Sequence, residues 1–339
     1  GGECRRAHPA VPAPGQLVRP ALQFVHLGHE RLVIEDEVCR VVIGRPRSHP
    51  GRDAPGSERV RTQPPRGRHG CIGHPRDGSV TGVSVLFATH AAYHDHLAGP
   101  RHPERPERLD AVVRGAQRAG LAEALVPVEP VAATRADLER VHPVAYLDRI
   151  EGISAAGGGR LDPDTYASPG SWNAAVLAAG AGLTAVEALR RGEAASAFCA
   201  VRPPGHHATA HESMGFCFVN NVAVVAASLA DQGERVMVFD FDAHHGNGTN
   251  DIFYADPRVL FVSIHQWPLY PGTGRDDEIG VGAGRGYTVN IPVPPGSTGD
   301  VYLYAFDEVV APVAERFRPT WVIISAGFDA HRDDPITDL

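Results

Sequence analysis

The chain has 339 residues, and 43% of them are hydrophobic, which is enough for one large α/β domain or two smaller ones. The 40 acidic residues outnumber the 32 basic ones, all of which are arginine, and the net charge is −8. The 5 cysteines form no Cys-x-x-Cys pair, which excludes a disulfide framework or a cysteine zinc site. No stretch is predicted to reach the length of a membrane span, and no secretory leader is predicted.

Charge divides the chain near residue 80. Residues 1–80 contain 13 Arg against 8 acidic residues, a charge of +5, and the remainder contains 19 Arg against 32 acidic residues, a charge of −13. The first part is rich in Pro, Gly and Arg, which is typical of disorder, although residues 22–43 are apolar enough for a small hairpin. We predict a disordered or non-native leader at residues 1–82 and a folded domain at residues 83–339. A basic arm can attract nucleic acid, but no nucleic-acid motif is present, so no such partner is predicted.

Strand and helix patterns alternate along the folded domain. In chain order, the predicted strands and helices cover residues 85–88 (strand), 106–119 (helix), 171–191 (helix), 197–201 (strand), 220–231 (helix), 236–241 (strand), 259–264 (strand), 287–291 (strand), 301–317 (helix) and 321–326 (strand). This alternation predicts an α/β fold, with a mainly parallel sheet flanked by helices on both faces.

The strongest chemical signal follows the strand at residues 236–241. Asp240, Asp242 and His244 occupy alternate positions, so they share one side of the chain if it stays extended. Open α/β sheets bind ligands at the carboxyl ends of their strands, which is where this run becomes polar. A carboxylate and an imidazole two residues apart can share a divalent ion. An N-cap Asp with a hydrogen-bonded histidine is the alternative for an isolated Asp-x-His.

Two other strand ends carry matching residue types. His206 and His207 follow the strand at residues 197–201 in a Pro- and Gly-rich loop, and Asp329 follows the strand at residues 321–326. Three strand ends therefore offer two carboxylates and an imidazole as metal ligands, with a histidine pair beside them.

With these motifs, residues 87–339 resemble the zinc-dependent deacetylase family in its class II branch, which includes bacterial acetylpolyamine amidohydrolases and has the arginase/deacetylase fold. The resemblance implies zinc ligands at Asp242, His244 and Asp329. In a separate set, the residues that match the family's catalytic machinery are His206, His207, Asp240 and Asn247. Asp240 corresponds to the carboxylate that pairs with the first histidine, and class II members carry Asn where Asn247 stands.

The resemblance also implies a structural potassium ion and an acyl-lysine tunnel. The residues that match the potassium site are Asp240, Asp242, His244, Ser263 and Ile264. The residues that match the tunnel walls or its rim are Asp164, Gly215, Phe216, Tyr270 and Ile336. For Asp164 and the nearby Asp162, a solvated loop carboxylate is the alternative.

The chemistry follows from the residue types. Three protein ligands leave positions open for water and a substrate carbonyl, which is typical of a catalytic zinc; Fe(II) or Co(II) also suits an Asp-His-Asp set. One histidine must take a proton from the metal-activated water and return one to the leaving amine. We predict His207 for that role and the His206–Asp240 pair as its electrostatic partner. A packing pair of histidines is the alternative, but it would bury several polar groups to no purpose.

Two further segments bear on activity. Residues 102–108, His-Pro-Glu-Arg-Pro-Glu-Arg, resemble the family's N-terminal signature, and either a direct catalytic role or a Pro-start helix with surface charge fits them. Family members place a tyrosine well downstream of the third ligand, where its hydroxyl stabilises the oxyanion, whereas the last tyrosine here is Tyr304. We therefore expect a catalytic domain whose C-terminal part is missing, and reduced turnover, since one oxyanion donor is worth on the order of a hundredfold.

The function expected is hydrolysis of ε-acetyl-lysine in proteins or peptides. Acetylpolyamine or other small-amide hydrolysis is the first alternative, and a non-catalytic acetyl-lysine binding fragment is the second. Polyamine-specialised relatives carry a glutamate seven residues after the third metal ligand, and Ile336 at that position favours acyl-lysine. The expected partners are acetylated proteins, peptides or small molecules, with no membrane, and the expected setting is the cytoplasm of a bacterium.

Overall fold

A mainly parallel sheet of eight strands organises the chain. The computed structural model describes residues 40–44 and 84–339, and all of them belong to one compact unit. The strands of the large sheet, in spatial order, are β3 (Leu125–Val128), β2 (Val85–Ala88), β6 (Ser196–Ala200), β1 (Arg40–Gly44), β10 (Trp321–Ala326), β7 (Val236–Asp240), β8 (Val259–Gln266) and β9 (Thr288–Val293). A small antiparallel pair, β4 (Gly159–Arg160) and β5 (Tyr166–Ala167), lies apart.

Strand β1 is the exception to the parallel order. It pairs antiparallel with β6 on one side and with β10 on the other, and Val42 is in register with Phe198 and with Ile324. This strand falls inside the leader predicted at residues 1–82, where only the end of the alternative hairpin at residues 22–43 overlaps it. The other residues of that leader lie outside the described residues, and the boundary at residue 82 stays a prediction.

The sheet is buried on both faces, as the predicted class requires. Along β7, Val236 and Val238 belong to one apolar cluster, whereas Met237 and Phe239 belong to a second. Because side chains of a strand point alternately to opposite faces, the two clusters lie on opposite sides of the sheet. The predicted α/β class with helices on both faces is confirmed.

The helices largely follow the predicted pattern. The structure has α1 (Glu107–Arg118), α2 (Arg135–Leu138), α3 (Val144–Ala155), α4 (Ser171–Arg190), α5 (Asn221–Asp231), α6 (Asn247–Phe253), α7 (Gly299–Ala305) and α8 (Ala311–Phe317). The single helix predicted at residues 301–317 is instead α7 and α8, joined by a π-helical turn at Phe306–Val310. Sequence patterns missed β3, α2, α3 and α6, which are short or weakly periodic.

The prediction that no segment reaches the length of a membrane span was wrong. Helix α4 has 20 residues and is long and apolar enough to cross a membrane. Of its most apolar window, 67% is buried inside the protein, where Ala174, Ala178 and Ala185 pack within the larger apolar cluster. An apolar helix of this kind is also typical of a protein core.

Candidate metal centre and active site

The predicted site residues converge at one edge of the sheet. His206 and His207 follow β6, Asp242 and His244 follow β7, and Asp329 follows β10. These strands run parallel to one another, so their carboxyl ends meet at the same edge. Pairs between neighbouring strands continue the polar set, since Asp240 of β7 lies opposite Ser325 of β10 and Ser263 of β8.

Asp242, His244 and Asp329 form a compact cluster of possible metal ligands. One ligand atom from each lies within 4.8 Å of the others. His244 Nδ1 is 2.7 Å from Asp329 Oδ2 and 3.2 Å from Asp242 Oδ1, and Asp329 is fully buried. Among the described residues, this is the single group of His, Cys, Asp or Glu side chains arranged in this way.

The charges of this cluster fit a divalent cation. Burial and the neighbouring charge of Asp242 raise the pKa of Asp329. Burial disfavours the charged form of His244, but its hydrogen bonds to Asp242 and Asp329 outweigh that effect and raise its pKa to about 11. A positive charge beside the two buried carboxylates would therefore stabilise their ionised forms. A set of one nitrogen donor and two oxygen donors suits a divalent transition metal.

Backbone groups hold the two carboxylates in place. The amide of Ala243 donates to Asp329 Oδ1, and the amide of His244 donates to Asp242 Oδ1, both at 2.8 Å. Gly327 leaves room for the Asp242 carboxylate, because a Cβ at that position would overlap it. The second oxygen of Asp329 and the side chain of His244 then face each other across the cluster.

The histidine pair lies beside the cluster with a different partner for each ring. The ring centroids of His206 and His207 are 4.0 Å apart. His206 Nδ1 is 3.0 Å from Asp240 Oδ2, and His207 Nδ1 is 2.7 Å from Asn247 Oδ1. Because an amide oxygen accepts hydrogen bonds, Nδ1 of His207 carries the hydrogen and its Nε2 carries the lone pair.

The surroundings separate the proton affinities of the two rings. Burial lowers the proton affinity of His206, but the charges of Asp240 and Asp242 outweigh it and raise the pKa of His206 to about 9. Burial, together with repulsion from His206 and His244, lowers the pKa of His207 well below its usual value. At neutral pH His206 is therefore a cation, whereas His207 is a neutral base.

A cavity of about 180 Å³ opens onto these groups. All five residues predicted for the tunnel line it, namely Asp164, Gly215, Phe216, Tyr270 and Ile336. The Tyr270 ring stands edge-on to His207, with centroids 5.3 Å apart. Gly215 packs against the His207 ring at a φ of 54°, and a Cβ there would overlap the ring. Arg108 and Pro204 also line the cavity, although neither was predicted as a tunnel residue.

The residues predicted for potassium lie on β7, on β8 and in the loop after β7. The Asp240 carboxylate accepts from the amide of Asp242 at 3.1 Å and also contacts His206. Ser263 Oγ bonds His265 Nδ1 at 2.8 Å, and the Ile264 side chain lies in the apolar core. Ile264 could therefore contribute its main-chain oxygen to a cation, but not its side chain. The potassium site stays a prediction.

The segment at residues 102–108 leads into α1, and its charged residues divide between the surface and the interior. Glu104 is 1% exposed and accepts from Arg202 Nε and Nη2, each at 2.6 Å. His96 Nε2 lies 3.1 Å from the same carboxylate, and Arg108 Nη1 lies 3.8 Å from it. Arg105 and Glu107 are exposed, as the surface-charge alternative expects, whereas Glu104 and Arg108 are buried. Glu104 is buried because it pairs with Arg202, which lies far away along the chain.

Comparisons with known proteins agree with this geometry. The family model described as "Histone deacetylase domain" matches residues 102–339. A "Probable deacetylase" of Archaeoglobus fulgidus is 45% identical over 263 residues, which cover 77% of this chain and 72% of that protein. A "Histone deacetylase-like amidohydrolase" of Pseudomonas aeruginosa is 42% identical over 245 residues, 71% of this chain and 64% of that protein. This chain therefore spans less than two thirds of the second relative.

A solved structure supports the same grouping. The structure described as "Crystal Structure of HDA15 HD domain" superposes with a TM-score of 0.72 at 38% identity, covering 76% of this chain and 75% of that one. The match extends to the arrangement of sheet and helices, and the predicted arginase/deacetylase fold is confirmed.

Proposed function

Because the chain belongs to the histone deacetylase family, we propose that it hydrolyses the amide of ε-acetyl-lysine in proteins or peptides. One observation carries the proposal: a buried neutral base, His207, lies on the wall of the cavity that also contains Asp242 and His244. Amide hydrolysis requires a group that takes a proton and returns it to the leaving amine, and His207 has the protonation state to do so.

We further propose that Asp242, His244 and Asp329 hold a zinc ion, with Fe(II) or Co(II) as alternatives. A bound zinc supplies Lewis acidity toward an amide oxygen and lowers the pKa of water. The histidine pair and its two hydrogen-bond partners transfer the proton and stabilise charge. His207 moves the proton at Nε2, Asn247 fixes the tautomer of His207, and the cationic His206 with Asp240 favours developing negative charge. A potassium ion at Asp240 and its neighbours is a separate proposal.

Replacing Asp329 with asparagine is expected to lower zinc affinity by more than about a hundredfold, beyond the cost of losing an outer-shell partner. The substitution removes one of the two charges that favour a cation while it keeps the size of the side chain. Zinc bound per chain, measured in a competition titration with a chelator, gives the affinity. Asp162→Asn, a carboxylate outside the cluster, is the control. Equal affinities of parent and D329N would place the metal elsewhere.

The cavity favours acyl-lysine over acetylpolyamines. Phe216, Tyr270 and Ile336 present apolar surface there, and Ile336 provides no charge for a distant ammonium. Asp164 at the rim can accept a hydrogen bond from a peptide amide. Hydrolysis of acetylpolyamines or other small amides remains the alternative, because the reacting groups do not distinguish them.

Comparing kcat/KM for an acetyl-lysine peptide and for acetylspermidine, with the zinc-loaded chain, tests the substrate class. We expect the peptide to be preferred, and Ile336→Glu to shift the ratio toward acetylspermidine by about tenfold, since a partly desolvated charge pair is worth more than 1 kcal/mol. Ile336→Gln, which matches the size without the charge, is the control. Preference for acetylspermidine by the parent chain would support the alternative, and binding of the peptide without turnover by any zinc-loaded form would support a non-catalytic binding fragment.

A further inference from the structure

His102 is the first residue of the segment at residues 102–108, to which the proposed reaction assigns no role. Both nitrogens of its ring form hydrogen bonds. The backbone amide of Glu104 donates to His102 Nδ1 at 3.1 Å. An amide N–H can only donate, so Nδ1 holds the lone pair and Nε2 carries the hydrogen. His102 Nε2 lies 3.2 Å from the carbonyl oxygen of Asp164 and donates to it. The ring therefore links the turn before α1 to the loop at Asp164.

The same ring also contacts Phe216, a second residue that lines the cavity. Its edge-to-face contact with Phe216 has a centroid separation of 4.7 Å and an interplanar angle of 80°. Phe216 adopts a φ of 65°, a left-handed conformation that a residue with a Cβ needs neighbouring contacts to maintain. One such contact is the bond from the Phe216 amide to Thr165 Oγ1 at 3.0 Å.

Thr165 also connects Asp164 with Phe216. Its hydroxyl accepts from Phe216 and donates to Asp164 Oδ1 at 2.9 Å. Asp164 is thus held at its carbonyl by His102 and at its carboxylate by Thr165, and Phe216 is held at its ring by His102 and at its amide by Thr165. Asp164 and Phe216 both line the cavity.

We infer that His102 is a positioning residue that sets the separation between the Asp164 rim and the Phe216 wall, and so determines how tightly an acylated lysine side chain binds. The inference rests on the proposed function. His102 has no hydrogen bond or ring contact to His206, His207 or the three possible metal ligands among the interactions of the described residues. Its loss should therefore change substrate binding and leave the proton-transfer step as it is.

The test uses the full zinc-loaded chain and an acetyl-lysine peptide. His102→Ala removes the bond to Asp164 and the contact with Phe216, and it should raise KM about five- to tenfold with kcat within about twofold, which is the size of effect expected from one hydrogen bond and one ring contact. His102→Phe keeps a ring but no donor and should resemble alanine in part. His102→Gln keeps a donor of similar reach and should restore most of the affinity.

His94 provides the control, because it is an exposed histidine whose Nε2 is likewise hydrogen-bonded, in this case to the Asp110 carboxylate, and it does not line the cavity. His94→Ala should leave KM and kcat unchanged. An unchanged KM in His102→Ala would overturn the inference. A fall in kcat accompanied by loss of zinc in all three His102 variants would also overturn it, since that pattern indicates a general disturbance of the site.

Two measurements separate failure of this inference from failure of the proposed function. Equilibrium binding of the same peptide to the His207→Ala chain gives the effect of the His102 substitutions without turnover, and an unchanged dissociation constant would contradict the inference. If the chain neither binds nor hydrolyses the peptide, the proposed function fails. Nitrogen NMR of the His102 ring then decides the positioning role, because the Nε2–H tautomer supports it and the Nδ1–H tautomer contradicts it.

Discussion

Replacing His207 with alanine is expected to lower the turnover of an acetyl-lysine peptide by about 10² to 10⁴-fold, the usual contribution of a general acid–base group. His207 is the one ring of the pair that is neutral at pH 7, because burial and the adjacent charge of His206 lower its pKa. His206, with a pKa of about 9, already holds its proton and cannot take another from water. The loss should appear in kcat, measured with the zinc-loaded protein, with zinc content unchanged.

Asn247→Asp tests the same role through the pH profile. The substitution puts a negative charge on the oxygen that accepts from His207 Nδ1, now 2.7 Å away, and raises the pKa of His207. A base must be deprotonated to act, so the acidic limb of the profile of kcat/KM should move to higher pH, with activity lost earlier as the pH falls. His94→Ala, an exposed histidine that does not line the cavity, serves as the control.

A His207→Ala protein that keeps a tenth of the parent turnover would rule out His207 as the group that transfers the proton.

Replacing Glu104 with glutamine is expected to destabilise the protein by about 3–5 kcal/mol, the cost of leaving a buried charge without its partner. Arg202 is 1% exposed, and the Glu104 carboxylate accepts hydrogen bonds from its Nε and Nη2. Burial alone would raise the pKa of Glu104, but His96 and Arg202 hold it far below its usual value, so the carboxylate is charged throughout the neutral range. Urea unfolding measures the loss, with thermal unfolding as a second reading.

Two comparisons isolate the buried pair. The exposed pair Arg191–Glu193 has the same separation, 2.6 Å, so Glu193→Gln should cause no measurable loss of stability. The double substitution Glu104→Leu with Arg202→Met removes both charges and should recover part of the stability lost in Glu104→Gln. A Glu104→Gln protein as stable as the parent would show that the pair contributes nothing, whatever its burial.

Arg202 is fixed by further hydrogen bonds, and it begins the loop that contains His206 and His207. Its Nη1 donates to the carbonyl oxygens of Tyr93 and His96, at 2.5 and 3.0 Å. His206 and His207 follow Arg202 after three residues, and Pro204 of that stretch lines the cavity. Loss of Glu104 should therefore reduce turnover as well as stability. Turnover and the free energy of unfolding are both measured in the double variant, where a recovery of stability without a recovery of turnover shows that the two effects are separate.

The amino-acid sequence by itself determined the fold class and the chemistry of the three strand ends. Alternating apolar runs predicted the parallel sheet, because strand and helix periodicity are local properties of the chain. The positions of Asp242 and His244 just after β7, and of Asp329 just after β10, followed from where apolar runs stop. Parallel strands bring their carboxyl ends together, so these local signals were enough to predict a shared site.

Only the tertiary structure decided the partners of residues far apart along the chain. Glu104 is buried because it meets Arg202, and His102 reaches Asp164 and Phe216; no periodic pattern near residue 104 records either contact. The antiparallel β1 and the short β3 depend on pairing with β6, β10 and β2, which their own few residues do not specify. Burial and hydrogen bonding between distant segments also set the protonation states of His206 and His207, because desolvation and neighbouring charge are properties of the folded chain.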